Sequence, residues 1–424
     1  MTTPAPSAVT PSASTTPGVD GEKKPAAADS AQGEGFAVPG GMGFAPLDFT
    51  PGQGIFNRKP LTFSSAVQMG YDDNINSASS KSSTPIKGSM LTNATQAMSL
   101  LIAQSRVGLS LDANLGGQYY WSRDQNQLIP TGALNLIFGY KLTPRAQLSG
   151  VVNGIYTNQP TQSVINGVTQ SNGKGNFIGN SKFDLLYKWD PRFSTDTSYS
   201  INGSRQEGSA IQSSDYITQT VGEALRYSFS APMKGVLEGR YADRVFSNNP
   251  AGSLSRDTQT YFVLTGVDIV LSRLFNCSFR VGDATQSYSA KGQASSSSPY
   301  AESTLNYRPT PFTTVNLDTR YGYDDGSNSQ AGKSFRSGVA LTQVFTSKLN
   351  GVLSVNYSHA GASTSSVGVF TADQNALDIS AGATYNISQS LSLSSNVTHT
   401  RRTSSDVLQE MTKNLYSLGL TYRY

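Results

Sequence analysis

The chain has one cysteine, Cys277, in 424 residues. That excludes an intramolecular disulfide and a cysteine-cluster metal site. Histidine is nearly as scarce, with only His359 and His399 to supply an imidazole. No apolar run approaches the roughly 20 residues that a membrane-spanning helix needs. Charged residues make up 14% of the chain and the net charge is +4, so no nucleic-acid partner is expected. The opening MTTPAPSAVT lacks the basic region and apolar core of a secretory leader. It is read as a mature form with an added Met, or as a misplaced start. Phosphate-binding glycine loops, zinc spacings and haem-attachment patterns are also missing, so no metal and no cofactor is expected.

What is present favours strands. The chain holds 40 Gly and 21 Tyr, with abundant Ser, Thr and Asn, a composition that suits strands, turns and polar loops. A mean hydropathy of −0.32 does not argue against a membrane, because a transmembrane barrel carries only alternating segments of about 10 residues. The length fits two or three soluble domains or one large barrel.

Two regions differ in composition. Residues 1–58 are rich in Pro, Ala, Ser, Thr and Gly and cannot bury enough surface to offset ordering entropy, so they are read as a disordered extension. Residues 59–424 alternate short turns with long polar connections. The short turns fall near Gln104-Ser105, LTPR, WDPRF, FSAPM, LSRL, RPTP, FTSK and NISQS. Long stretches such as DDNINSASSKSSTP and TNQPTQSVINGVTQSNGKG lie between them. The rotation predicts about 18 strands in an all-β, up-and-down transmembrane barrel, with both ends on the short-turn side and no sheet edge left unpaired in lipid.

The strand faces agree with that count. In RVGLSLDANLGGQYYW, Val107, Leu109, Leu111, Leu115, Tyr119 and Trp121 share one parity, and Ser110, Asp112, Asn114 and Gln118 the other. The last segment alternates in the same way: Tyr416, Leu418, Leu420, Tyr422 and Tyr424 form a greasy face that ends on an aromatic residue, the pattern of a closing strand and assembly signal. Tyr140, Tyr187, Trp189, Tyr227 and Phe345 flank short turns, while Tyr71, Tyr119, Tyr199, Tyr241 and Tyr357 flank long loops. These are two aromatic girdles. Glu223 breaks the pattern by carrying lipid-side parity, which predicts a bulge or a shifted register.

The first strand, LTFSSAVQMGYDDNIN, ends on Gly70-Tyr71-Asp72-Asp73-Asn74. It resembles the opening strand of the β-barrel porin-2 type of outer-membrane proteins, and YGYDDG at 321–326 echoes the motif. The resemblance implies a barrel in the bacterial outer membrane. It implies as partners the outer-membrane lipid and the barrel-assembly machinery, and either a porin-like role or one in exopolysaccharide export. The Asp and Asn residues of the motif read as turn chemistry, with a calcium-binding rim as the rival reading.

Parity places candidate pore-lining charges on the inner face. The cations are Lys182, Arg226, Arg240, Arg280, Arg308, Arg320 and Arg336; the acids are Asp112, Asp184, Asp196, Glu238, Asp268, Glu302, Asp318 and Asp378, so the two signs are nearly balanced. Opposed acidic and basic walls would set a transverse field, with Arg240, Arg280 and Arg320 as the source of any anion preference. The rival reading is that these charges pair across strands. The connection from Thr157 to Gly175, the longest, is the candidate constriction. Catalysis is not expected: both histidines carry lipid-side parity, on strands that are not neighbours. Cys277 reads as a small apolar residue facing lipid. The leading functional expectation is passive diffusion of small hydrophilic solutes. Polysaccharide export is one alternative, and a plugged scaffold holding a periplasmic partner through the N-terminal extension is another. A soluble solenoid would need a fixed internal repeat, which the spacing lacks. Oligomeric state is not legible.

Overall fold

The computed structural model describes residues 60–81, 85–104, 106–123, 128–157, 164–165, 168–169, 175–206, 215–247, 255, 257–272, 274–289, 294–323, 333–361, 363–364, 370–371, 373–405 and 410–424. The proposed extension over residues 1–58 lies outside them, as does most of the 157–175 connection.

The chain forms a sheet of 18 antiparallel strands. They are β1 (Leu61–Asp72), β2 (Ser89–Ala103), β3 (Val107–Tyr120), β4 (Leu128–Lys141), β5 (Ala146–Thr157) and β6 (Asn176–Lys188). Next come β7 (Phe193–Gln206), β8 (Tyr216–Ser230), β9 (Met233–Phe246), β10 (Thr258–Ser272), β11 (Phe275–Tyr288) and β12 (Ser296–Thr310). The last six are β13 (Thr313–Tyr323), β14 (Lys333–Val344), β15 (Leu349–Ala360), β16 (Gln374–Asn386), β17 (Leu391–Ser404) and β18 (Met411–Arg423). Each strand pairs with its neighbours in sequence, and β1 also pairs with β18 from Ser64↔Arg423 to Asp72↔Leu415. That last pairing closes the barrel and leaves no free edge.

The short turns are held by one recurring device. Thr143 Oγ1 accepts the backbone N–H of Ala146 at 2.9 Å, Asp190 Oδ1 that of Phe193 at 2.8 Å, Thr346 Oγ1 that of Leu349 at 3.0 Å and Ser388 Oγ that of Leu391 at 3.0 Å. A side-chain oxygen that bonds a backbone N–H a few residues on makes a tight reversal, and this is why these connections stay short.

Alternation sorts side chains by face. Val67, Met69, Leu115, Leu237, Val263, Leu353 and Leu418 stand exposed on the outer wall, where lipid rather than water is the fitting solvent. Tyr140, Trp189, Tyr227 and Phe345 are exposed toward the short-turn end, and Tyr71, Tyr119, Tyr321 and Tyr357 toward the long-loop end.

One expectation changes. No bulge accompanies Glu223: its pairing with Thr197 on β7 and Gly239 on β9 lies within an unbroken register. The register shift on β8 falls instead between Ser228 and Ser230, beside the short turn. Glu223 therefore faces outward, and its carboxylate accepts a hydrogen bond from Thr197 Oγ1 at 2.5 Å. That hydroxyl supplies a local partner without a break in the ladder. The segment from Ile86 to Ala103 resolves into a strand that starts at Ser89, with Leu61 opposite Leu100.

Candidate functional site

The inner wall carries a continuous charge network from β7 to β12. Arg226 bonds Asp196 at 2.5 Å and Asp268 at 3.3 Å. Arg280 bonds the same Asp268 at 2.7 Å and Glu238 at 3.4 Å. Arg240 bonds Glu238 at 2.5 Å, and both oxygens of Glu302 at 2.5 and 3.0 Å. Each arginine thus lies between two carboxylates, and the fork on Glu302 is the bidentate geometry that guanidinium favours. Acid and base alternate along this stretch of wall and pair across strands, the second of the two readings of the sequence, and not as opposed walls. The reason is geometric: inward positions on adjacent strands sit about 5 Å apart, close enough for long side chains to meet their neighbours before reaching across the lumen.

Other candidate residues flank this network or line the rest of the wall. Asp112 on β3 accepts hydrogen bonds from Ser99 Oγ at 2.6 Å and Ser110 Oγ at 3.4 Å. Lys182 and Asp184 on β6 pair at 3.3 Å. Arg320 on β13 lies opposite Glu302 on one side and Arg336 on the other, and Asp318 faces Gly338 in the same ladder. Asp378 on β16 is buried opposite Thr400 and Asn356.

Above the network lie inner aromatics that the outward-parity reading of Tyr and Trp missed. Tyr300 is fully buried at 0% exposure, in a cluster with Phe262, Leu264 and Tyr323. Its hydroxyl donates to Glu302 Oε2 at 2.6 Å, and Arg320 Cζ lies 5.3 Å from the ring centroid. Arg244 covers Tyr216 in the same way at 5.0 Å, and Arg123 covers Tyr120 at 5.8 Å. Tyr323 is buried although its sequence parity points outward. Gly322 before it has φ of +146°, and a Cβ there would meet Tyr300 Cδ2 at 2.6 Å. The glycine lets the strand end turn without a clash.

The GYDDN motif proves to be a clasp. Asp72, at 0% exposure, takes Lys413 Nζ of β18 at 2.8 Å, the Tyr120 hydroxyl of β3 at 3.1 Å and the Asn74 backbone N–H at 3.0 Å. Asp73 accepts the Asn414 backbone N–H at 2.7 Å and its side-chain amide at 2.6 Å. Asn74 Nδ2 donates to the Thr412 carbonyl at 3.0 Å. Both carboxylates are therefore spent on the first-to-last-strand seam and the turn, and among the described residues no group of His, Cys, Asp and Glu is arranged to hold a metal ion. The loop behind the clasp folds inward: Ile75, 2% exposed, packs with Leu91, Tyr120, Ile129 and Leu415 just inside the long-loop mouth.

The histidines sit at the outer rim on separate hairpins. His359 bonds Asn375 Oδ1 at 2.9 Å, and His399 bonds Asn414 Oδ1 at 2.7 Å. Cys277 is a free thiol, half-buried, opposite Ile269. Tyr416, Leu418, Leu420, Tyr422 and Tyr424 are all exposed on the outer face.

A closed barrel with an apolar outer wall, two aromatic girdles and a charged inner wall defines a transmembrane β-barrel of the porin-like class. The family described as "Putative beta-barrel porin 2" matches residues 188–424, more than half of the chain, and the chain belongs to it. It is an outer-membrane barrel of bacteria. The solved structures it resembles include a BenF-like porin from Pseudomonas fluorescens Pf-5, at 10% identity and a TM-score of 0.43, covering 86% of this chain and 99% of that one. OccAB4 of Acinetobacter baumannii matches at 11% identity and 0.40, covering 87% and 99%. OpdK of Pseudomonas aeruginosa, solved with vanillate, matches at 11% and 0.40, covering 86% and 98%. No curated protein matches the sequence.

Proposed function

We propose that the protein is a passive channel for small hydrophilic solutes across the outer membrane. The observation that carries this reading is the charge network: three arginines and four carboxylates along the inner face of a closed 18-stranded wall. Such groups belong beside water, and barrels of about sixteen to eighteen strands leave an aqueous channel. Membership of a porin family supports the same conclusion.

The inner aromatics weigh against polysaccharide export. Tyr120 and Tyr300 are fully buried, Tyr216 nearly so, and each carries a guanidinium over its ring, so none offers a free stacking face to a sugar. The Ile75 loop packs against the inner wall at the long-loop mouth, a placement that suits a channel for small solutes. The test is single-channel conductance of the refolded barrel in a planar bilayer. Stable ohmic steps are expected. Silence from inserted, heat-modifiable protein overturns the channel in favour of a plugged barrel.

A further inference from the structure

The opposite mouth differs in charge from the lumen. On the periplasmic side, the strand ends and turns between β2 and β7 carry Arg106, Lys141, Arg145, Lys188 and Arg192, all exposed. The acid among the described residues of this arc is Asp190, whose Oδ1 is engaged by the backbone N–H of Arg192 at 2.7 Å and Phe193 at 2.8 Å. No carboxylate pairs with any of the five cations among the described residues.

The arrangement costs stability. The Lys141 backbone N–H donates to the Arg106 carbonyl at 2.9 Å, and that of Lys188 donates to the Arg145 carbonyl at 2.8 Å. Two like-charge pairs therefore lie across adjacent strand ends, where opposite charges would stabilise and like charges destabilise. Lys141 and Lys188 follow the outward residues Tyr140 and Tyr187 and so take the lumen-side parity. The arc spans four strand intervals, about 20 Å at about 4.8 Å each, and a Debye length is about 8 Å at physiological salt. The fields of neighbouring cations overlap across the opening.

Deeper in the lumen the charges are largely paired. The arginines of the central network are each held between carboxylates, and Lys413 is held by Asp72. Paired charges project little net field, whereas unpaired charges at an aperture focus one.

We propose that the periplasmic mouth is an anion-capture vestibule, and that Lys141, Arg145, Lys188 and Arg192, not the mid-lumen arginines, set the channel's ion preference. The ligand class is small carboxylates and phosphates. This rests on the channel reading, and the experiment separates the two.

Reversal potentials are recorded in a KCl gradient across a neutral phosphatidylcholine bilayer, for the wild type and for the variant Lys141→Glu, Arg145→Glu, Lys188→Glu, Arg192→Glu. The wild type is expected to prefer chloride, most strongly at low salt, and the variant to move through zero to potassium preference. Arg401→Glu, exposed on the outer rim, serves as the control and is expected to leave the potential unchanged. Should the charge-reversal variant not insert, the corresponding glutamine substitutions are expected to abolish the chloride preference. A wild-type potential of potassium sign, or one that the four substitutions do not move, overturns the vestibule while leaving the channel intact. If neither protein conducts, the channel reading fails. Binding of inorganic tripolyphosphate to the detergent-folded barrel, measured by calorimetry, then decides the vestibule: binding lost in the variant supports it, and equal or absent binding overturns it. A cation set that serves lipid headgroups instead would lower partition of the variant into phosphatidylglycerol vesicles with no change in reversal potential, and that result too overturns the proposal.

Discussion

Lys413 and Asp72 meet at 2.8 Å across the seam where the last strand joins the first, and both side chains are almost wholly buried. Removing one partner of a buried pair strands the other charge, at a cost of about 3–5 kcal/mol. Asp72→Ala is therefore expected to lower the urea midpoint of the folded barrel, followed by gel mobility of unheated samples. The double substitution Asp72→Leu, Lys413→Met is expected to recover most of the loss, because no unpaired charge remains. A double variant as weak as the single one would show that the seam depends on the other bonds of the clasp.

Ile75 anchors the inserted loop. Shortening it to alanine removes packing worth about 2–5 kcal/mol for a buried isoleucine, and Ile75→Asp adds a charge among Leu91, Tyr120, Ile129 and Leu415. The loop is expected to leave the mouth in the aspartate variant, with larger and noisier single-channel steps. Unchanged conductance would place the narrowest point elsewhere.

Glu223 faces lipid with Thr197 as its hydrogen-bond partner. Charges on the lipid face of barrels cost up to about 2–4 kcal/mol for Arg or Lys at the midplane, and less for acids. Glu223→Leu is expected to raise the urea midpoint by an amount equivalent to about 1 kcal/mol. A fall instead would mean that another protein or a lipid amine meets this carboxylate in the native membrane.

Gly322 combines a φ of +146° with the ring of Tyr300 standing where a Cβ would have to go. Strained backbone of this kind costs of order 1–3 kcal/mol for a residue with a side chain. Gly322→Ala is expected to destabilise the barrel by that amount. Adding Tyr300→Leu relieves the clash but not the dihedral, so only part of the loss returns.

The sequence made the wall legible because its signals are local. Period-two parity and a Thr, Ser or Asp in each reversal lie within a dozen residues, and they located the turns at LTPR, WDPRF, FTSK and NISQS. Parity also assigned a face to Arg240 and Glu302, but not a contact. Those two residues are 62 positions apart and three strands away from each other, and their meeting depends on stagger and rotamer. Ile75 gave no sign, being one apolar residue in a polar loop. Asp72 and Lys413 shared the inner parity of their strands, yet their contact exists only once the two ends of the chain are brought together. Tyr323 has the same parity as the exposed Tyr321, yet it is buried beside Tyr300.

The pairing pattern has a consequence for how this wall can change in size. All strand partnerships but one join neighbours along the chain, so the molecule is a pleated ribbon fastened once, by the clasp around Asp72. A hairpin gained or lost anywhere in the middle would alter the circumference by two strands, return both ends to the same side of the membrane, and leave the fastening residues untouched. Girth is thus a modular property of the interior hairpins, while the decision to be a ring at all belongs to the residues of one seam.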